Sequence, residues 1–171
     1  MSAETFTTAM FLITAVIAAG VLINAIFPVV YNMAGTFQSS THESDQRLRT
    51  DFKIVTTYGN SSTSTVQVWM KNIGSQRIAL AEIRRSDVFC GEISNFNRLD
   101  YVDVDPFITP PTTNKWTEVL SDLPPENSYW DPGETLEVWA TPSTMPSTGG
   151  MVYFQFVLPN GIWRSNEFTV S

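Results

Sequence analysis

From Thr5 to His42 the chain carries no Asp, Glu, Lys or Arg, and this uncharged run constrains the fold more than any other feature. Its most apolar part, Phe6 to Tyr31, has no polar face, whereas a helix packed on the core of its own soluble domain normally shows one. At about 1.5 Å per residue those roughly 26 residues make a helix about 39 Å long, enough to cross a hydrocarbon layer of about 30 Å with tilt. A cleaved secretory signal is disfavoured, because no base precedes the run and the run is about twice the usual length. The segment is therefore expected to be a membrane-spanning helix, buried in lipid or against copies of itself.

The details of the run suggest how such a helix meets its neighbours. Ala15 and Ala19 stand in small-xxx-small spacing beside Ala18 and Gly20, and small residues let helices approach closely where lipid supplies no hydrophobic drive. Asn24 is the one strongly polar side chain in mid-run and is best satisfied by a neighbouring helix. Pro28 removes a main-chain donor and leaves the Asn24 carbonyl unbonded, so a bend is expected there. Ala15, Ala19, Gly20, Asn24 and Pro28 are thus the helix-packing candidates. Beyond Tyr31 the helix is expected to continue as a polar stalk to about Arg49. Glu43/Arg47 and Asp45/Arg49 each place an acid four residues before a base, the order that supports an exposed helix. His42, the only histidine, reads as solvated surface on this stalk.

After Thr50 the periodicity becomes two-fold. Phe52, Ile54 and Thr56 share one face of "DFKIVTTY", and Val66, Val68 and Met70 share one face of "STVQVWMKN", with "GNSST" as the hairpin turn. "RIALAEI", "SDVFC", "NKWTEVL", "ETLEVWAT", "GMVYFQFVL" and "IWRSNEFTV" continue the pattern. Asn160-Gly161 joins the last two in what is expected to be a tight I′ hairpin, and "DPGE" marks another turn. "DVDPFITPPTTNKW" reads as a long loop. The fold class is α+β: residues 1–50 form the hydrophobic helix and polar stalk, and residues 51–171 form an antiparallel β-sandwich of immunoglobulin-like build with about eight strands and no second helix.

Chemistry is sparse. The net charge of −7 argues against nucleic acid, whose phosphates demand clustered bases. Cys90 is the only cysteine, which precludes an intrachain disulfide, and it reads as a small buried hydrophobe. With one His and one Cys, a nucleophile–base pair is nearly excluded by inventory; no phosphate-binding, zinc or serine-hydrolase motif occurs. The chain reads as a non-enzyme with no cofactor and no metal. Asp100, Asp103 and Asp105 lack the glycine and distal glutamate of a calcium loop and read as exposed acids flanking a strand. Asn60-Ser61-Ser62 matches the N-glycosylation acceptor in the first hairpin turn.

The order of parts, with "LRTDFKIV" at the junction, "VQVWMKNIGSQRIAL" after it and "WDPGETLEV" later, resembles the FlaG/FlaF accessory proteins of the archaellum (archaeal flagellum), within the type IV pilin-like architecture. That resemblance implies a non-catalytic, stator-like part of the motility machine, anchored in the archaeal cell membrane by a single pass. The sandwich would lie outside, meeting other archaellum proteins of the FlaF/FlaG type, the surface-layer protein, and further copies in a homo- or hetero-oligomer. Within it, Gly74 and Gly133 close the turns after Asn72 and before Thr135. The second implied role is an archaellin or pilin-like subunit that polymerises through its N-terminal helix. Arg47, Arg49 and Lys53 follow the helix with no base before it, which taken alone would place the sandwich in the cytoplasm. They lie about 16 or more positions beyond Tyr31, at the edge of that rule's reach, and the architecture outweighs them.

Overall fold

A computed structural model describes residues 2–121 and 127–171, without the side chains of Ser39, His42, Glu43 and Ser121. The readings of His42 as solvated surface and of a Glu43/Arg47 pair therefore lie outside the described side chains. Two compact units emerge, Met1–Asp45 and Gln46–Ser171.

The first unit holds most of α1 (Ser2–Arg49), which contains Pro28. Ser2–Gln38 is long and apolar enough to cross a membrane, and none of its most apolar stretch is buried. Hydroxyls that would interrupt this surface turn back on the helix. Those of Thr7, Thr8 and Thr14 donate to the carbonyls of Ala3, Glu4 and Met10, and those of Thr36 and Thr41 to Asn32 and Phe37, at 2.8–2.9 Å. This i−4 back-bonding satisfies a hydroxyl without any outside partner.

The second unit is built from two four-stranded antiparallel layers. One runs β1 (Phe52–Asn60), β2 (Thr65–Asn72), β8 (Thr135–Thr141), β6 (Lys115–Ser121). The other runs β5 (Asn95–Tyr101), β4 (Asp87–Glu92), β9 (Met151–Val157), β10 (Trp163–Thr169). A short parallel pairing of Asp100 with Lys115 and Tyr101 with Trp116 joins the layers. Alternation drives alternate side chains inward: Val66, Val68 and Met70 from β2, Leu136 and Val138 from β8, and Val152, Phe154 and Phe156 from β9 are all fully buried. Phe156 sits edge-on to Phe52 at 5.7 Å and to Trp116 at 5.9 Å. These rings belong to both layers, and edge-to-face pairs add stabilisation beyond the area they bury.

The α+β, mostly antiparallel architecture matches the expectation, and four local readings need correction. "RIALAEI" is not one strand: β3 (Ile78–Ala79) pairs with β7 (Tyr129–Trp130), and the chain then makes a single turn of helix, α2 (Leu80–Ile83). β5 went unread because "NFNRLDY" is polar; Leu99 is its only buried residue. Thr56 does not share the face of Phe52, since a bulge between Ile54 and Thr56 turns the strand over and leaves Thr56 exposed. The last hairpin is not a two-residue I′ turn. Gly161 N–H donates to the Leu158 carbonyl and Leu158 N–H to the Ile162 carbonyl, and only Gly161 of the turn has positive φ (+83°). Pro159 fixes a negative φ at the first turn position, which selects a three-residue loop with a glycine bulge.

Cys90 is 1 % exposed, and desolvation pushes its thiol from 9.0 up to about 12. In the unfolded chain the thiol ionises near its ordinary value, so stability is lost as pH rises from about 9 toward 12, at roughly 1.4 kcal/mol per unit. The folded protein is expected to resist a disulfide thiol reagent at pH 8 and to react once unfolded in guanidinium. Urea titrations between pH 8 and 11 should show the decline, reduced in Cys90→Ala.

Candidate functional site at the helix junction

Where α1 ends, carbonyls are left without helical partners, among them that of Arg49, and Asp51 follows just beyond. The loop after β2 supplies the donors. Arg49 C=O accepts from Ser75 N–H (2.9 Å) and Gln76 N–H (3.1 Å), and Asp51 C=O accepts from Ile73 N–H (3.0 Å) and Gly74 N–H (2.9 Å). Thr50 closes the last helical turn, its main-chain N–H and its hydroxyl both donating to Gln46 C=O. Glycine is required at 74 because a Cβ there would collide with the Arg49 carbonyl and stand 2.6 Å from the Asp51 nitrogen. Asp51 also pairs with Arg164 of β10.

Asn72 completes the assembly. It follows Val66, Val68 and Met70 on the inward face of β2 and is fully buried. Its Nδ2 donates to Gln76 C=O (3.0 Å) and Trp130 C=O (2.9 Å), and its Oδ1 accepts from Gly74 N–H (3.0 Å). Its main chain donates to Glu134 C=O and accepts from Gly133 N–H. Gly133, at φ +92° after Pro132, makes a type II turn closed by Glu134 N–H on Asp131 C=O. Trp130 Nε1 and Asp131 N–H both bond to Glu134. The "KNIG" and "WDPGE" segments thus meet at one carboxamide, and the loop that it orders carries the N–H groups that bond to Arg49 and Asp51. Gly74 and Gly133 were legible from sequence, and the hub itself was not. Its signal was a polar residue in phase with three apolar ones.

The other candidates are placed as follows. At about 100° per residue, Gly20, Asn24 and Pro28 line one face of α1, whereas Ala15 and Ala19 lie on the opposite one. Asn24 is exposed, and its amide has no partner among the described residues. Asn60 ends β1, its Oδ1 accepting from Ser62 N–H (2.9 Å) and Thr63 N–H (3.3 Å). The acids of "LDYVDVD" are each engaged. Asp100 meets Arg98 and Lys115, Asp103 meets Arg84, and Asp105 accepts from Phe107 N–H. Among the described residues no three His, Cys, Asp or Glu side chains gather. Glu118, with a side chain 4 % exposed, accepts from Arg84 Nε (2.8 Å) and the Tyr101 hydroxyl (3.2 Å). Burial, then the Glu118 charge, push the Tyr101 phenol up, and the Glu118 hydrogen bond holds Arg84 above its ordinary value. This cluster clasps β5 to β6.

Asn72→Ala strands the Trp130 carbonyl in the interior and leaves the half-buried Gln76 carbonyl without its donor, and is expected to cost about 3 kcal/mol in urea unfolding of the Gln46–Ser171 domain. Gly74→Ala should cost a similar amount through the clash. The domain started at Gln46 should exceed the one started at Asp51 by about 2 kcal/mol, because the shorter one lacks the Arg49 acceptor of two hydrogen bonds.

Comparison with known proteins places this geometry. The archaeal-type flagellin family profile matches residues 2–168. An uncharacterized protein of Archaeoglobus fulgidus is 28 % identical over 173 residues, covering 98 % of each chain. Among solved structures, the archaellum periplasmic stator protein FlaG from Sulfolobus acidocaldarius has a TM-score of 0.52 at 23 % identity, over 70 % of this chain and 99 % of its own. The stator complex of FlaF and FlaG from that organism gives 0.51 at 22 % identity, over 68 % and 87 %. The archaeal flagellum of Methanospirillum hungatei strain JF1 gives 0.66 at 15 % identity, over 97 % and 93 %. With its apolar N-terminal helix and β-sandwich matched almost from end to end, the chain belongs to the archaeal-type flagellin family and is an archaellum-related component.

Proposed function

We propose that this protein is a membrane-anchored, stator-like structural part of the archaellum that works through protein contacts of its β domain outside the membrane. The observation that carries this reading is the hub around Asn72. Main-chain hydrogen bonds join Arg49, in the last turn of α1, to the loop after β2, and the buried Asn72 carboxamide braces that loop, which suits a part that must resist load better than a loose linker would. The likeness to FlaG, a periplasmic stator protein, along 99 % of that chain supports it. Association with a FlaF-type partner is proposed on the likeness to the complex of FlaF and FlaG, and the surface-layer protein is the proposed outer contact. The function requires no catalysis and no cofactor.

One observation favours a second reading, a subunit of a helical filament. The likeness to the archaeal flagellum takes in 97 % of the chain, and the apolar helix Ser2–Gln38 has 37 residues. At about 1.5 Å per residue that is roughly 55 Å, longer than a hydrocarbon layer of about 30 Å, and sister helices bundled in a filament core would cover such a length. In either setting the apolar surface is removed from water. Seventeen large apolar side chains from Phe6 to Phe37 are at least half exposed, and covering them is worth on the order of 20 kcal/mol.

Electron microscopy of the full-length protein after exchange from detergent into liposomes separates the readings. The stator-like reading expects discrete particles held in the bilayer, with the β domain digested when intact cells are treated with protease. Long fibres from this chain alone would establish the filament reading. Full-length protein dispersed as single particles in buffer without detergent would overturn both.

A further inference from the structure

The hairpin between β1 and β2 brings two groups into position with no other role in the fold. Asn60 closes β1 opposite Thr65, at the far end of that strand from the junction. Its Oδ1 is turned over the loop and accepts from Ser62 N–H at 2.9 Å, so the carboxamide and Ser62 share one tight turn. This leaves Nδ2 with no partner among the described residues, on a half-buried residue but not itself among the buried polar atoms. The neighbouring hydroxyls are engaged: Ser61 bonds to Thr148 Oγ1 and Ser171 C=O, and Thr63 bonds to Thr65. The Ser62 side chain is exposed and has no partner among the described residues. In Asn-x-Ser acceptors the carboxamide nitrogen and the hydroxyl two positions on are the two groups that chemistry needs. No other Asn in the chain is followed by Ser or Thr at that spacing.

We infer that Asn60 is an N-glycosylation site, taking a glycan from a lipid-linked sugar phosphate. The inference rests on the outward-facing reading of the β domain, since the acceptor must meet the glycosyl donor outside the membrane. In the transfer, Nδ2 forms a bond to the anomeric carbon while that carbon's bond to the phosphate oxygen breaks. Nδ2 loses one proton, and the lipid phosphate leaves with the bonding pair. No oxidant or reductant is needed. The product fits the fold: Nδ2 is the atom that the turn does not use, and the Oδ1 bonds to Ser62 and Thr63 survive the substitution. The sugar would stand beside Thr148 and the Ser171 end of the described chain, clear of the Asn72 hub.

The test is mass spectrometry of full-length protein isolated from membranes of its own cells, paired with protease treatment of intact cells to read the side on which the domain lies. The tryptic peptide Ile54–Lys71 is expected to carry sugar-mass increments that resist alkaline β-elimination, which distinguishes them from sugars on the loop's hydroxyls. Ser62→Ala, which keeps Asn60 and its turn, should abolish the increments. Asn60→Gln should do the same, and Ser62→Thr should retain them. A domain cut from outside with the Ile54–Lys71 peptide unmodified would overturn the inference and leave the outward-facing reading standing. A domain protected in intact cells would overturn both. Increments that persist in Ser62→Ala and Asn60→Gln would place the sugar elsewhere and overturn the assignment to Asn60.

Discussion

The β domain depends on satisfying one amide in a dry place. Asn72 puts a carboxamide where the alternation of its strand calls for an apolar side chain, and a buried amide without partners is costly. Three hydrogen bonds from its side chain and two from its main chain convert that liability into a constraint. To satisfy the amide, the loop to Gln76 and the chain at Trp130 must both stand within hydrogen-bond reach of it. Apolar packing of the same volume would leave the Trp130 and Gln76 carbonyls without these donors.

The same logic runs in reverse in the N-terminal unit. There five threonine hydroxyls are satisfied by the helix's own carbonyls, while the large apolar side chains stay exposed. Within the sandwich, Phe52, Trp116 and Phe156 find one another; along α1, Phe6, Phe11 and Phe27 are left facing outward. One chain thus carries a domain with a buried core of its own and a helix whose apolar surface is left exposed.

How far the sequence discloses this depends on the range of each interaction. Periodic burial is local, so β2, β8 and β9 could be read directly from their alternating residues. The charge-free run could likewise be read as an exposed apolar helix. Features set by neighbours were hidden. β5 is recruited by β4 despite its polar residues, and the bulge near Val55 reverses the face of Thr56 without any glycine to announce it. The turn at Asn160-Gly161 was visible as a turn, but its type was decided by the preceding proline. For the junction, both glycines could be identified, whereas convergence on Asn72 could not. Contacts such as Asn72 to Trp130 span 58 positions, and no local pattern encodes them.

The hydroxyls of α1 carry a last implication. A helix that turns Thr7, Thr8, Thr14, Thr36 and Thr41 back onto its own carbonyls offers an adjacent rod almost no directional bonding. Such a surface is slippery, and dispersion forces alone favour many depths and rotations nearly equally. Against that smooth background we propose the exposed amide of Asn24 as a detent, a notch in mid-run at which two rods would lock in height and angle.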